Sequence, residues 1–228
     1  MVIRGQGAIL FLVLDDGTAT FQSVVKRDTL KPELFELLTR TIDIGDIISV
    51  TGILFSTDRG EQSILVSSWA MAAKSLLPLP EKWHGLADID EKFRKRYLDF
   101  IMEPETRALF FKKAKFWRLT RAFMEKEGFL EVETPSLETT TGGAEANPFK
   151  THHNDFDMDV YLRISIGELW QKRLMAAGFN KTFEIGRAYR NEGSSPEHVQ
   201  EFTNLEYYWA YANYEDGMNF TVRLYRYL

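Results

Sequence analysis

Between Phe183 and Tyr208 the sequence gathers residue types able to handle a phosphate and a flat ring. The run Phe183-Glu184-Ile185-Gly186-Arg187-Ala188-Tyr189-Arg190 alternates like a strand and ends on an arginine. Polar residues Asn191–Glu201 follow, carrying Glu192 and His198, and a second strand-like run brings Phe202, Glu206 and Tyr208. An arginine at a strand end can bridge a carboxylate and a phosphate with its planar donor fork. An aromatic ring at the loop exit can stack on a base. Singly, each residue has an ordinary explanation, since charged hairpin tips are usually solvated and strand aromatics usually belong to the core. The joint order of these residues is what points to chemistry.

Those residues need elements to hold them. Lys181–Arg190 and Thr203–Ala212 read as two long strands around the polar loop, and Glu168–Ala177 reads as a helix before them. Further upstream a charged helical stretch, Asp88–Phe100, precedes a longer helix, Glu105–Lys126, which has Pro104 near its start and Gly128 past its end. Leu109, Phe116, Leu119 and Phe123 share one face of that helix, the spacing of core packing. Strand-like Phe129–Glu133, Gly-rich Thr139–Ala144 and strand-like Val160–Ile164 follow.

The first seventy or so residues have a different texture. Ala8–Leu14 and Thr18–Val25 flank the turn signal Asp15-Asp16-Gly17. A short helix, Lys31–Thr41, leads to strands Asp46–Leu54 and Gln62–Ala70 around Asp58-Arg59-Gly60. Short strands interrupted by one helix suit a small OB-type barrel. Four strands show where five are expected, which leaves the first to residues upstream of Met1. Leu77-Pro78-Leu79-Pro80 marks a linker.

With 228 residues, 44% hydrophobic and 14% aromatic, the chain can bury a sizeable core. It contains no long apolar run of membrane-spanning length, and the N-terminus lacks the pattern of a signal peptide. The absence of cysteine excludes disulfides, zinc–thiolate sites and a cysteine nucleophile, and agrees with a reducing cytoplasm. A net charge of −5 argues against a generic polyanion binder, leaving room for a local nucleic-acid patch.

Taken together, Arg190-Asn191-Glu192-Gly193, His198, Phe202, Glu206 and Tyr208 resemble motif 2 of class II aminoacyl-tRNA synthetases, in the form of the lysine branch. Gly128-Phe129-Leu130-Glu131-Val132-Glu133-Thr134-Pro135 is similar to motif 1, which forms much of that family's dimer interface. Gly142-Gly143-Ala144, Pro148-Phe149, Thr151-His152-His153-Asn154, Tyr161-Leu162-Arg163-Ile164, Glu168-Leu169 and Lys172-Arg173-Leu174 also match the lysine branch. One departure stands out: Ile164-Ser165-Ile166-Gly167-Glu168 is one residue longer than the commonest form.

The resemblance implies an α+β chain. An OB-type anticodon-binding barrel would occupy residues 1–73, a linker 74–87, and part of a class II antiparallel sheet flanked by helices 88–228. It implies that Arg190 clamps the α-phosphate and the substrate carboxylate, that Glu192 and His198 contact ATP, and that Phe202 stacks on adenine. Gly142 and Glu168 would hold the amino end of lysine, and Glu206 and Tyr208 its side chain, whose buried ammonium needs acidic and hydrogen-bonding partners. In the barrel, Phe11, Gln22 and Glu61 fall where the family reads the anticodon. Phe11 also sits in the apolar run Ile9–Leu14, so a core placement is equally open.

The implied activity is ATP-dependent formation of lysyl-adenylate and transfer to tRNA(Lys) by a homodimeric cytoplasmic parent enzyme. Motif 3 and the magnesium ligands are expected beyond residue 228, so the 228-residue chain alone is expected to have little or no activity. Two alternatives belong to other classes. One is a lysyl ligase acting on a protein, which would lack the barrel. The other is a non-catalytic RNA-binding or regulatory truncated paralogue, in which Arg190, Glu192, His198 or Phe202 would be expected to have changed.

Overall fold

The computed structural model describes residues 2–5, 7–80, 88–195 and 197–228, and the chain divides into two compact units, Met1–Arg107 and Ala108–Leu228.

In the first unit the alternating runs become strands β1 (Val2–Arg4), β2 (Ile9–Asp15), β3 (Thr20–Lys26), β4 (Ile47–Ser56) and β5 (Gln62–Ala73). Helix α1 (Pro32–Thr41) follows β3 and carries proline at its first turn, where the missing N–H costs nothing. The sheet order is β1-β2-β3-β5-β4, antiparallel except for the β3–β5 pair. The strand count therefore differs from the sequence reading: a first strand is present within the chain, pairing Ile3 with Leu12. It has only three residues before Gly5, too few to show a period of two. Leu12, Val25, Leu30, Phe35, Leu38 and Val66 form the core, and the Trp69 indole N–H caps the packing of α1 by donating to the Leu34 carbonyl at 3.0 Å. Where the expected linker begins, Lys74 Nζ and Ser75 N–H are fastened to the buried Asp46 carboxylate at 2.9 and 2.8 Å. Residues 81–87 of that expected linker lie outside the described residues.

The charged stretch Asp88–Phe100 forms two helices rather than one, α2 (Ile89–Arg94) and α3 (Arg96–Met102), because Lys95 leaves helical geometry at φ −113°. Helix α4 (Pro104–Lys126) follows. Only its last turns reach the core, through Thr120, Phe123 and Met124. Leu109 is 60% and Phe116 43% exposed, so the expectation that both pack in the core is corrected. Helical periodicity shows that they share a face but not what covers it.

The second unit is built on β10 (Lys181–Tyr189) and β11 (Glu201–Trp209), an antiparallel hairpin, with β6 (Leu130–Glu131) added in parallel to β10. A second sheet comprises β7 (Leu137–Glu138), β9 (Met158–Leu162) and β8 (Lys150–His153). The polar β8 sequence Lys-Thr-His-His hides this strand from a hydrophobicity reading. Helix α5 (Glu168–Ala176) precedes the hairpin, and α6 (Tyr214–Tyr227) follows it from an Asn213–Asp216 capping box. Phe220 of α6 packs on Phe129 and Tyr207 at centroid distances of 5.1 Å, joining helix to sheet.

Candidate active site

The hairpin register sorts its side chains. Phe202, Asn204, Glu206 and Tyr208 pair with Ala188, Gly186, Glu184 and Thr182 and share one face, since side chains alternate along a strand. Leu205, Tyr207 and Trp209 face the other way, onto the Phe129–Phe220 core. The candidate residues of β11 are thus brought into one row.

At one end of the row, the loop after β10 closes back on itself. Arg190 N–H donates to the Gln200 carbonyl at 2.8 Å, and its Nε lies 3.4 Å from the Ile164 carbonyl. The guanidinium carbon stands 5.2 Å from the Phe202 ring centroid, a cation–π contact. Glu192 accepts from Asn147 N–H at 3.1 Å, and His198 Nδ1 is 2.8 Å from the Ser195 hydroxyl. Arg190, Glu192, His198 and Phe202 line a single open cavity of about 320 Å³ together with Gly193, Glu197, Val199 and Gln200. That size lies within the range of small-ligand sites, roughly 300–1,000 Å³.

At the other end the site is acidic. Glu206 Oε1 accepts from Ile166 N–H at 2.8 Å and is approached by the Asn204 amide at 3.4 Å; both contacts land on one oxygen. Burial, together with the charges of Glu168 and Glu206, pushes the Tyr208 phenol up to about 12, so it remains a neutral hydroxyl across the physiological range. Glu168 opens α5 and pairs with Lys172 at 2.5 Å. In the Ile164–Glu168 segment, Gly167 takes a left-handed conformation (φ 62°) against Thr134, where a Cβ would come within 2.2 Å of that hydroxyl.

Of the two adjacent glycines, Gly142 contributes its carbonyl, which accepts from Ser165 Oγ at 2.7 Å. Gly143 is the one the site requires to be small. At φ 90°, a Cβ there would lie 2.0 Å from Glu168 Oε2. The sequence reading also assigned no role to the buried pair beside the row, on the same face. Arg163 and Glu184, with side chains 4% and 5% exposed, meet at 2.7 Å. Glu184 also accepts from Thr134 Oγ1 at 2.6 Å, while Arg163 donates to the Arg187 carbonyl at 2.8 Å. Gly186 leaves room for that guanidinium, which a Cβ would meet at 2.3 Å. Arg163 stood within a recognised motif, but a lone arginine in a strand gives no sign of its buried partner.

In the barrel, register also separates two faces. Leu12 carries the core, whereas Phe11 pairs with Val24 on the opposite face and is half-buried. Gln22, paired with Val13, shares that outer face and donates from Nε2 to Ser63 Oγ at 2.9 Å. Glu61 is exposed in the turn entering β5. Phe11 thus stands off the core face, half-buried beside the buried Val24.

Residues 88–228 match the model of the tRNA synthetases class II (D, K and N), and residues 1–71 match that of the OB-fold nucleic acid binding domain. The chain is 49% identical to a lysine–tRNA ligase of Pelotomaculum thermopropionicum over 97% of its own length and 43% of the relative's. It is 48% identical to one of a Synechococcus species over 98% and 45%, and 46% identical to one of Carboxydothermus hydrogenoformans over 98% and 46%. The chain therefore spans less than half the length of these curated relatives. With the family model covering 88–228 and the motif 2 residues gathered along one hairpin, the chain belongs to the class II tRNA synthetases (D, K and N).

Proposed function

We propose that the full-length protein is a lysine–tRNA ligase, using ATP to form lysyl-adenylate and passing the lysyl group to tRNA(Lys). The observation that carries this reading is the polarity of the β11 row. A cavity with Arg190 and Phe202 lies at one end, and the Glu168–Glu206–Tyr208 group lies at the other. ATP suits the first end: Phe202 stacks on adenine, Glu192 and His198 hold the nucleotide, and Arg190 neutralises the α-phosphate. Lysine suits the second, its ammonium facing Glu206 and Tyr208 and its amino end facing Glu168 and the Gly142 backbone. The reaction needs no protein nucleophile. A lysine carboxylate oxygen attacks the α-phosphorus, the α–β bridging P–O bond breaks, and pyrophosphate leaves with its electrons. The 3′-terminal ribose hydroxyl of tRNA then attacks the acyl carbonyl and AMP departs.

Magnesium would accompany ATP as part of the substrate, with its protein ligands beyond residue 228. The domain limits we propose are 1–73 and 88–228 with 74–87 between them, and the matched residues 1–71 and 88–228 support them. Phe11, Gln22 and Glu61, on the barrel's outer face and entry turn, are assigned to the anticodon. No helix among the described residues is long and apolar enough to cross a membrane. On the proposed part in tRNA charging, we assign the protein to the cytoplasm.

The deciding measurement is exchange of labelled pyrophosphate into ATP by the full-length protein. Exchange that depends on lysine is expected, whereas exchange stimulated equally by aspartate or asparagine, or none at all, would retire the assignment. We assign the uncovered α4 face, including Leu109 and Phe116, to an isologous dimer interface together with the Phe129–Pro135 segment. Sedimentation of the full-length protein should accordingly give a dimer, and Phe116→Glu should shift it towards monomer, a change a non-interfacial residue would not produce.

A further inference from the structure

The segment before α5 has the Ile166 backbone held on both sides. Its N–H donates to Glu206 Oε1 at 2.8 Å, and its carbonyl accepts from Gln171 Nε2 at 3.0 Å. Gln171 is in turn held by the Thr182 hydroxyl, which donates to its Oε1 at 3.0 Å. Ile166, Gln171 and Thr182 are all fully buried. Thr182 pairs with Tyr208 in the hairpin, so the chain of contacts leaves the acidic end of the row at Glu206 and returns to it opposite Tyr208.

Buried polar groups of this kind need a reason. An apolar pair of similar volume would fill the space without desolvating an amide and a hydroxyl. Here the amide holds the Ile166 carbonyl, and the N–H of the same residue, one peptide group earlier, holds one carboxylate oxygen. The Ile166 and Asn204 contacts both fall on Oε1, and among the described residues no hydrogen bond engages Oε2. An aligned carboxylate matters most where it meets a charge, since loss of alignment weakens a charge-assisted hydrogen bond steeply.

We infer that Gln171 and Thr182 form a positioning pair that acts through the Ile166 backbone to aim Glu206 at the substrate's cationic end. The inference rests on the functional reading above and deepens it. Neither residue touches substrate. Their effect is confined to the orientation of a carboxylate beside the amino-acid side chain, not to the cavity around Arg190. Disturbing them should weaken lysine selectively.

The test uses pyrophosphate exchange by the full-length protein with lysine and ATP varied separately. Thr182→Val removes the hydroxyl at nearly constant shape, and Gln171→Leu combined with Thr182→Val replaces both polar groups. The double variant is expected to raise the lysine KM roughly five- to tenfold, the weight of a single hydrogen bond, with the ATP KM unchanged. Thr182→Val should show a smaller rise, and Thr182→Ser, which keeps the hydroxyl, should restore the lysine KM to that of the unaltered protein. An unchanged lysine KM in a folded variant would overturn the pair's role, and so would lysine and ATP KM values rising together. Should the double variant fail to fold, the Thr182→Val and Thr182→Ser pair decides by the same criteria. The functional reading fails separately, by absence of lysine dependence in the unaltered protein.

Discussion

Replacing Arg190 by alanine in the full-length protein is expected to lower lysine-dependent pyrophosphate exchange about 100- to 1,000-fold, the usual effect of deleting a donor aimed at developing oxyanion charge. That corresponds to about 3–4 kcal/mol of transition-state stabilisation. The side chain is already poised: its stem leaves the end of β10, its backbone N–H is tied to Gln200, and its guanidinium lies against Phe202. Alanine leaves the backbone tie intact, so the loss should appear in kcat and kcat/KM with little change in thermal stability. Arg190→Lys should recover only part of the rate, because an ammonium cannot bridge two oxyanions with a planar fork. Exchange by Arg190→Ala within about threefold of the unaltered rate would show that the arginine is not directed at the phosphate.

Glu206→Gln should weaken lysine about 10- to 100-fold while leaving the ATP KM near its original value. A buried ammonium that loses its counter-charge loses roughly 1.5–3 kcal/mol of hydrogen bonding. Tyr208→Phe removes one neutral hydroxyl contact and should cost about 1 kcal/mol, a roughly fivefold effect. Because Tyr208 stays protonated up to about 12, its contribution should not vary with pH across the neutral range. The competing explanation gives Glu206 a purely structural part, holding the hairpin through an arginine. Its hydrogen bonds among the described residues come instead from the Ile166 N–H and the Asn204 amide, neither of them a cation. A Glu206→Gln variant with an unchanged lysine KM and a depressed melting temperature would support that alternative and end the specificity role. Glu184, by contrast, does meet an arginine, so Glu184→Gln should be read mainly as a stability change.

Much of this was legible in the residues. Two alternating runs around a polar loop predict the β10–β11 hairpin, and a period of two already places Phe202, Glu206 and Tyr208 on one side. Helices α1, α5 and the core-bound end of α4 show themselves by proline, glycine and apolar spacing. Elements too short or too polar to carry a period, such as β1, β7 and β8, do not. Neither does the break at Lys95 within a stretch of good helix formers.

Residue order by itself determined the local facts: which side chains alternate, where a strand must end, and which residue types could meet a phosphate or a cation. Partners far apart in the chain were decided only in three dimensions. Nothing near Glu206 announces that the Ile166 N–H, forty positions earlier, will hold one of its oxygens, nor that Arg163 will lie buried against Glu184. Phe11 and Leu12 are adjacent and both apolar, and only the pairing of β2 with its neighbours puts Leu12 in the core and Phe11 outside. Local periodicity arises from bond geometry and is written into consecutive residues. Which face is covered depends on packing between distant elements, and the sequence carries that information only through all of its contacts at once.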